Sequence, residues 1–350
     1  MVLDGRTTQA GPMPPRDRLL AGLVALIWGL NFPAIHWSLE QFPPFFLVAL
    51  RFALLAVPTV LLVPRPGVPW RWVLGYGTGF GVLQFLFLYL AMESGMPAGL
   101  ASLVLQSSAP FTVVLAAVLL RERLGGRQAA GVALAVAGLG GIAAHRAALG
   151  SGGMLLPVVL TLCGGLGWAL GNLCSRQARA PQPLRLTMWM TVVPPLPMLA
   201  VSLLVEGPQR IGTSLTTLGT TTGALALAGL AFTVLPATVL GSGIWTTLMS
   251  RHPSSTVAPF SMLVPVVGIA ASWLLFREQV FLVEVGCGAV VLAGVLLSST
   301  PARSRRGVGP GLGQLPRPDD AEQHDDGQRQ GTHDDGAHRD GVVAQQTDQG

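Results

Sequence analysis

The sequence contains no lysine; all 22 of its basic residues are arginine. Charged residues make up only 11% of the 350. A soluble domain carries about 25%. The deficit argues against a soluble enzyme. It argues equally against a nucleic-acid binder, despite a pI near 10.0. Aspartate is absent between Asp17 and Asp319. That gap excludes membrane chemistries built on aspartate, such as aspartyl intramembrane proteolysis and magnesium-dependent prenyl transfer. Cysteine is scarce as well. Cys163 and Cys174 share one expected helix, separated by about 16 Å of helical rise, too far for a disulfide. Cys287 stands in a different apolar run. No Walker motif is present, so ATP is not the direct energy source. No His-Glu-x-x-His occurs and no histidine lies within a late helix, which leaves an intramembrane enzyme without a base. No cofactor and no metal centre are expected in the apolar part of the chain.

What the sequence does hold is apolar length. Half of the residues are hydrophobic, and the mean hydropathy is +0.55. A helix needs about 20 mostly apolar residues to cross a bilayer. Stretches of that kind predict ten spans, near 19–38, 43–63, 72–92, 97–120, 128–144, 153–175, 186–205, 222–248, 254–276 and 281–299. The fifth is the shortest. The Thr-rich run from Ile211 to Gly223 is too polar to span. The first span is too long for a cleaved signal and is followed by nine more. The expected fold is therefore an all-α integral membrane protein.

Arginine placement orients the spans. With the N-terminus inside, fourteen of the arginines close to span ends fall on the inner side and three (Arg146, Arg210 and Arg277) on the outer. This is a strong positive-inside bias. Both termini are expected in the cytoplasm. Residues 1–18 form a short cytoplasmic lead. Residues 301–350 have too little apolar content to bury a core and are expected to be a disordered cytoplasmic tail. His-Asp-Asp-Gly recurs there at 324–327 and 333–336. A metal-binding tail is the other reading of that pattern.

The chain repeats itself at an offset of 156. Met96-Pro97 opens the fourth span and Arg121-Glu122 closes it. His252-Pro253 and Arg277-Glu278 do the same for the ninth. Gly138 and Gly294 keep the offset. The first helix of each half carries a Trp and an Asn one turn apart, Trp28/Asn31 and Trp168/Asn172. Five spans per half is an odd number, so the second half inserts upside down. Inverted repeats point to alternating access, with the substrate site near the midplane between the halves. A channel would show repeated selectivity residues, and none is visible. Prolines within the spans (Pro33, Pro58, Pro110, Pro157, Pro194, Pro236, Pro259, Pro265) free carbonyls or simply bend helices. Glycines at 131, 138, 164, 171, 286 and 294 suit close helix approach.

Specific residues carry a family resemblance. The run Trp28-Gly29-Leu30-Asn31-Phe32-Pro33-Ala34-Ile35, then Pro43-Pro44 and Leu50-Arg51-Phe52, resembles the opening of the EamA family of the drug/metabolite transporter superfamily. So do Met96 to Gln106 and Arg121-Glu122-Arg123-Leu124. In the second half Trp168-Ala169-Leu170-Gly171-Asn172, Gly243-Ile244-Trp245 and Leu263 to Gly268 resemble its O-acetylserine/cysteine exporter subgroup. His36-Trp37, Arg277-Glu278 and the lack of a Lys after Asn172 depart from that subgroup. The likeness runs over residues 18–300. It implies two EamA repeats, 19–145 and 153–299, in an inner (plasma) membrane exporter of small metabolites. Amino acids or cysteine-pathway metabolites are the implied cargo, with a proton gradient as the implied drive. A broader drug or amino-acid exporter of the same fold is the alternative.

Polar groups inside a bilayer usually face a cavity or another helix. Asn31 and Asn172 are the first candidates, because the repeat brings equivalent helices to one site. An amide both donates and accepts, which suits a zwitterion. The same two residues could equally glue helices. Trp28 and Trp168 either wall the cavity or pack. Gln84 lies mid-span in the third helix. Gln106, Ser107 and Ser108 sit just before the helix breaker Pro110, with Ser261 matching them in the ninth span. Arg51 is the deepest charge; it either holds a carboxylate, or snorkels or pairs structurally, and the lack of a midplane acid favours the latter. His36 and Glu40, four apart near the outer end, and Glu93 are either proton-coupling groups or a polar rim. The expected partners are a small-molecule substrate and the lipid bilayer, with a homodimer left open.

Overall fold

The computed structural model describes residues 13–122, 124–148, 155–252, 254–279 and 281–298. The 301–350 tail, with its His-Asp-Asp-Gly pattern, lies outside the described residues. The described residues fold into helices. Nine are long and apolar enough to cross a membrane: α1 Pro15–Leu39, α2 Pro44–Leu62, α3 Trp70–Glu93, α4 Ala98–Leu119, α5 Gly126–Ala148, α6 Leu155–Ala178, α7 Pro183–Val205, α8 Thr221–Arg251 and α9 Pro259–Phe276. The tenth, α10 Leu282–Ser298, has 17 residues.

Sequence and structure part company over the fifth span. It was the shortest by hydropathy, yet α5 has 23 residues and α10 is the short helix. The reason is electrostatic. Arg146, placed in an outer loop by sequence, is helical and 5% exposed. Its Nε lies 2.5 Å from Glu284 Oε1, and its Nη2 donates to Glu284 Oε2 at 3.0 Å. His145 adds a contact to the same carboxylate at 3.3 Å. Paired charge no longer has to leave the helix, so α5 continues through it. The Thr-rich run does not span, as expected; residues 211–216 belong to a short helix, Gly207–Thr216, which buries Ile211 and Ser214.

The two halves pack as copies of one another. α1 lies against α8 and α9, and α6 lies against α3 and α4. α2 packs on α7, α4 on α9, and α5 along α10. Exchanging α1–α5 with α6–α10 leaves this set of neighbours unchanged. Local irregularities repeat too. α3 widens into a π-turn over Gly77–Gln84, and α8 does so over Thr233–Gly241, starting 156 residues later. α4 tightens at Leu105–Ser107, and the entry to α9 tightens at Ala258–Met262. Wide turns of this type shift a helix by one residue and recur at functional sites.

Missing side chains allow the closest approaches. A Cβ on Gly131 would stand 2.4 Å from the Ser298 amide nitrogen, and one on Gly294 2.5 Å from that of Ala135. These glycines seat α5 on α10 backbone to backbone, as their spacing suggested. Gly286 is the exception: a Cβ there meets nothing within 4 Å. It faces away from the contact, and Gly288, against Leu103, packs instead. Between the seams the surface is apolar and open. Leu62, Leu204 and Leu282 are 79–87% exposed, as residues in contact with acyl chains would be.

Candidate functional site

The two halves enclose a central cavity of about 410 Å³. Its wall draws on the spans around the repeat axis. From α1 come Trp28 and Asn31; from α6, Trp168 and Asn172. The widened turn of α3 contributes Gln84, and α4 contributes Gln106 from its tightened turn and Ser108 directly after it. Ser261 and Met262 face them from the matching turn before α9. Seven of the eight substrate-site residues expected from sequence therefore line one cavity.

Ser107 is the eighth, and the structure does not bring it to the wall. It is fully buried, with Gly165 of α6 set against its hydroxyl. Gln106 in the tightened turn and Ser108 just after it face the cavity, and Ser107 packs behind them. The outer candidates also stand apart from the lining. His36 and Glu40 pair at 3.6 Å, and the His36 ring sits 4.3 Å from that of Phe276. Glu93 pairs with Arg210.

The wall is held by hydrogen bonds between helices. Trp28 Nε1 donates to the carbonyl of Ala237 at 3.0 Å, inside the widened turn of α8. Its ring meets Trp245 at 5.1 Å between centroids. On the opposite side Trp168 meets Phe80 edge-on at 5.9 Å. Both tryptophans thus pack and wall the cavity at once. Gln106 Nε2 reaches the Ser261 carbonyl at 3.4 Å, joining α4 to the α9 entry. Asn172 Nδ2 lies 3.5 Å from the Thr112 hydroxyl of α4, at the limit of a hydrogen bond.

Other polar atoms on the wall have no partner. Asn31 Oδ1 and Gln84 Oε1 are buried without a hydrogen bond. A buried polar atom left without a partner costs about 1–3 kcal/mol. Asn31 and Asn172, equivalent by sequence, therefore differ: one amide oxygen is free, the other amide is engaged.

Sequence reasoning left several wall residues out of the site. Arg51 lines the cavity, with Phe80, Phe85, Thr238 and Trp245. Arg51 does not snorkel. It is 5% exposed and donates to Tyr89 Oη at 2.9 Å and Thr238 Oγ1 at 3.0 Å. The signal in the sequence was its depth within an apolar span. The aromatic and hydroxyl partners come from α3 and α8, so no spacing could reveal them.

Two inverted-repeat halves around a shared cavity are an architecture suited to transport. The chain belongs to the EamA-like transporter family, which matches it twice, over residues 18–144 and 155–300. It is a multi-pass membrane transporter of small molecules and not an enzyme. It is 41% identical over 299 residues to a probable amino-acid metabolite efflux pump of Salmonella typhimurium, covering 84% of this chain and 98% of that one. A protein of the same description from Escherichia coli K12 is 39% identical over 300 residues, 85% and 99% of the two chains. A solved crystal structure matches with a TM-score of 0.54 at 18% identity, covering 82% of this chain and 97% of that one. That likeness concerns the fold alone.

Proposed function

We propose that the protein exports amino acids or closely related metabolites, such as O-acetylserine and cysteine, from the cytoplasm by alternating access. The observation that carries this reading is the central cavity shared by both halves, walled by amides and aromatic rings. The two efflux-pump relatives supply the substrate class and the direction. Asn31, Asn172, Gln84, Gln106 and Ser108 contact the cargo, with Trp28 and Trp168 closing over its apolar part. Ser107 supports Gln106 from behind. The protein resides in the inner (plasma) membrane with both termini in the cytoplasm. A proton gradient drives export, and the His36–Glu40 pair at the outer rim takes up the proton. Glu93, engaged by Arg210, is the second seat for that step.

The test is uptake of labelled O-acetylserine, cysteine and a set of other amino acids into inverted membrane vesicles. Vesicles containing the protein should accumulate at least one of them, and collapse of the proton gradient should abolish accumulation. No accumulation of any amino acid, with the protein present and inserted, would end this reading. Accumulation indifferent to the gradient would remove the proton coupling alone.

A further inference from the structure

Arg51 is a cation held inside an apolar bundle without an anion. The described residues include seven acids, and each is engaged elsewhere. Asp17 pairs with His252, Glu40 with His36 and Glu93 with Arg210. Glu122 pairs with Arg176 and Glu284 with Arg146. The remaining two serve helix ends. Glu206 accepts from the Phe45 and Phe46 amides, and Glu278 from those of Ala98 and Gly99. Phe85 covers the guanidinium, its ring centroid 4.1 Å from Cζ, but a ring quadrupole does not cancel a charge. Tyr89 and Thr238 are neutral and occupy Nη1 and Nη2. Nε is buried with no partner. An ionisable residue at membrane depth points to a functional site.

The same cavity holds the complementary chemistry. Asn31 Oδ1 and Gln84 Oε1 are acceptors lacking a donor. Gln84 is 4% exposed. Arg51 is the only charged residue on the described wall.

We propose that Arg51, fixed by Tyr89 and Thr238, anchors the carboxylate of the transported molecule, and that Asn31 and Gln84 receive its ammonium group. The inference rests on the transporter reading above and narrows its substrate to zwitterions with one carboxylate. Such a molecule brings one negative charge to one buried cation. An amide or a decarboxylated amine leaves Arg51 unpaired. A dicarboxylate brings a second charge for which the wall has no cation.

The full-length protein in detergent provides the test, because Trp28, Trp168 and Trp245 line the cavity and their fluorescence reports occupancy. Several neutral amino acids are titrated, each beside its own amide and its decarboxylated amine, with glutamate as the dicarboxylate. The free acids should bind at least about tenfold more tightly than the other three classes, the scale of a lost charged hydrogen bond. Arg51→Gln should weaken the acids about ten- to hundredfold, leave amides and amines where they were, and so erase the preference. Arg51→Lys should fall between. A merely structural arginine would instead lower the melting temperature and weaken acids and amides alike. Equal binding of acid and amide by the unaltered protein would overturn the proposal without recourse to any variant. So would a preference that survives Arg51→Gln, or the absence of binding by every compound. Arg51-dependent, carboxylate-selective fluorescence without vesicle accumulation would leave the anchor and remove export. Vesicle accumulation of acids and amides alike would do the reverse.

Discussion

Arg121 and Arg277, 156 residues apart, share the same left-handed backbone, with φ 54° at each. A residue with a Cβ held there costs about 1–3 kcal/mol. Each ends its helix sharply and is followed by a glutamate. At the second site the turn aims Glu278 back at the first half, where its carboxylate accepts from the Ala98 amide at 2.8 Å and the Gly99 amide at 3.2 Å. Strain at one residue thus places a charge at the start of α4, where unpaired N–H groups and the helix dipole favour it.

Removal of that cap should show in stability. Glu278→Ala is expected to cost about 1 kcal/mol, the usual worth of an N-terminal cap. Glu278→Gln keeps an acceptor but loses the charge, so it should cost less. Thermal melting in detergent checks the order. Equal melting temperatures for all three proteins would show that the cap contributes nothing.

The α5–α10 seam makes a sharper contrast. Gly131→Leu would drive a side chain into the backbone of α10, which stands only 2.4 Å from where a Cβ would lie. Overpacking of this kind costs about 1–3 kcal/mol or more. Gly286→Ala, on the same pair of helices, meets nothing within 4 Å and should be neutral. Expression and melting temperature of the two variants measure the difference. A destabilised Gly286→Ala protein would mean that another surface covers that face in the membrane.

The two asparagines should respond differently. Asn31→Ala removes a free amide oxygen from the wall, so the concentration for half-maximal transport should rise about five- to hundredfold, equivalent to about 1–3 kcal/mol. Its melting temperature should hold. Asn172→Ala loses a contact between α6 and α4 and should lower the melting temperature first. Transport kinetics and thermal melts on both variants separate these outcomes. Unchanged affinity in Asn31→Ala would take that residue out of the site.

Orientation has its own check. Reporter fusions at positions 12 and 310 should both read cytoplasmic, given the arginine bias and an even number of spans. A periplasmic signal from either position would break the inverted arrangement.

Hydrophobic length by itself determined that this is a multi-pass helical membrane protein, and it gave the number of its spans. Those properties depend on the bilayer, which reads each segment in turn and needs no neighbour to do so. The offset of 156 was equally legible, and the structure extends it to the widened turns at Gly77 and Thr233. The four amides of the wall, Asn31, Gln84, Gln106 and Asn172, were legible as well, because a polar side chain within an apolar span has few places to go. Tertiary structure decided what each of those residues does. Arg51 turned inward because Tyr89 and Thr238, on two other helices, offered hydroxyls at 2.9 and 3.0 Å. Arg146 stayed in α5 because Glu284 met it from α10. Ser107 left the wall because a tightened turn rotated it toward Gly165. Each outcome hangs on a partner far along the chain, and hydrogen bonds and ion pairs act over a few ångströms that sequence spacing does not encode.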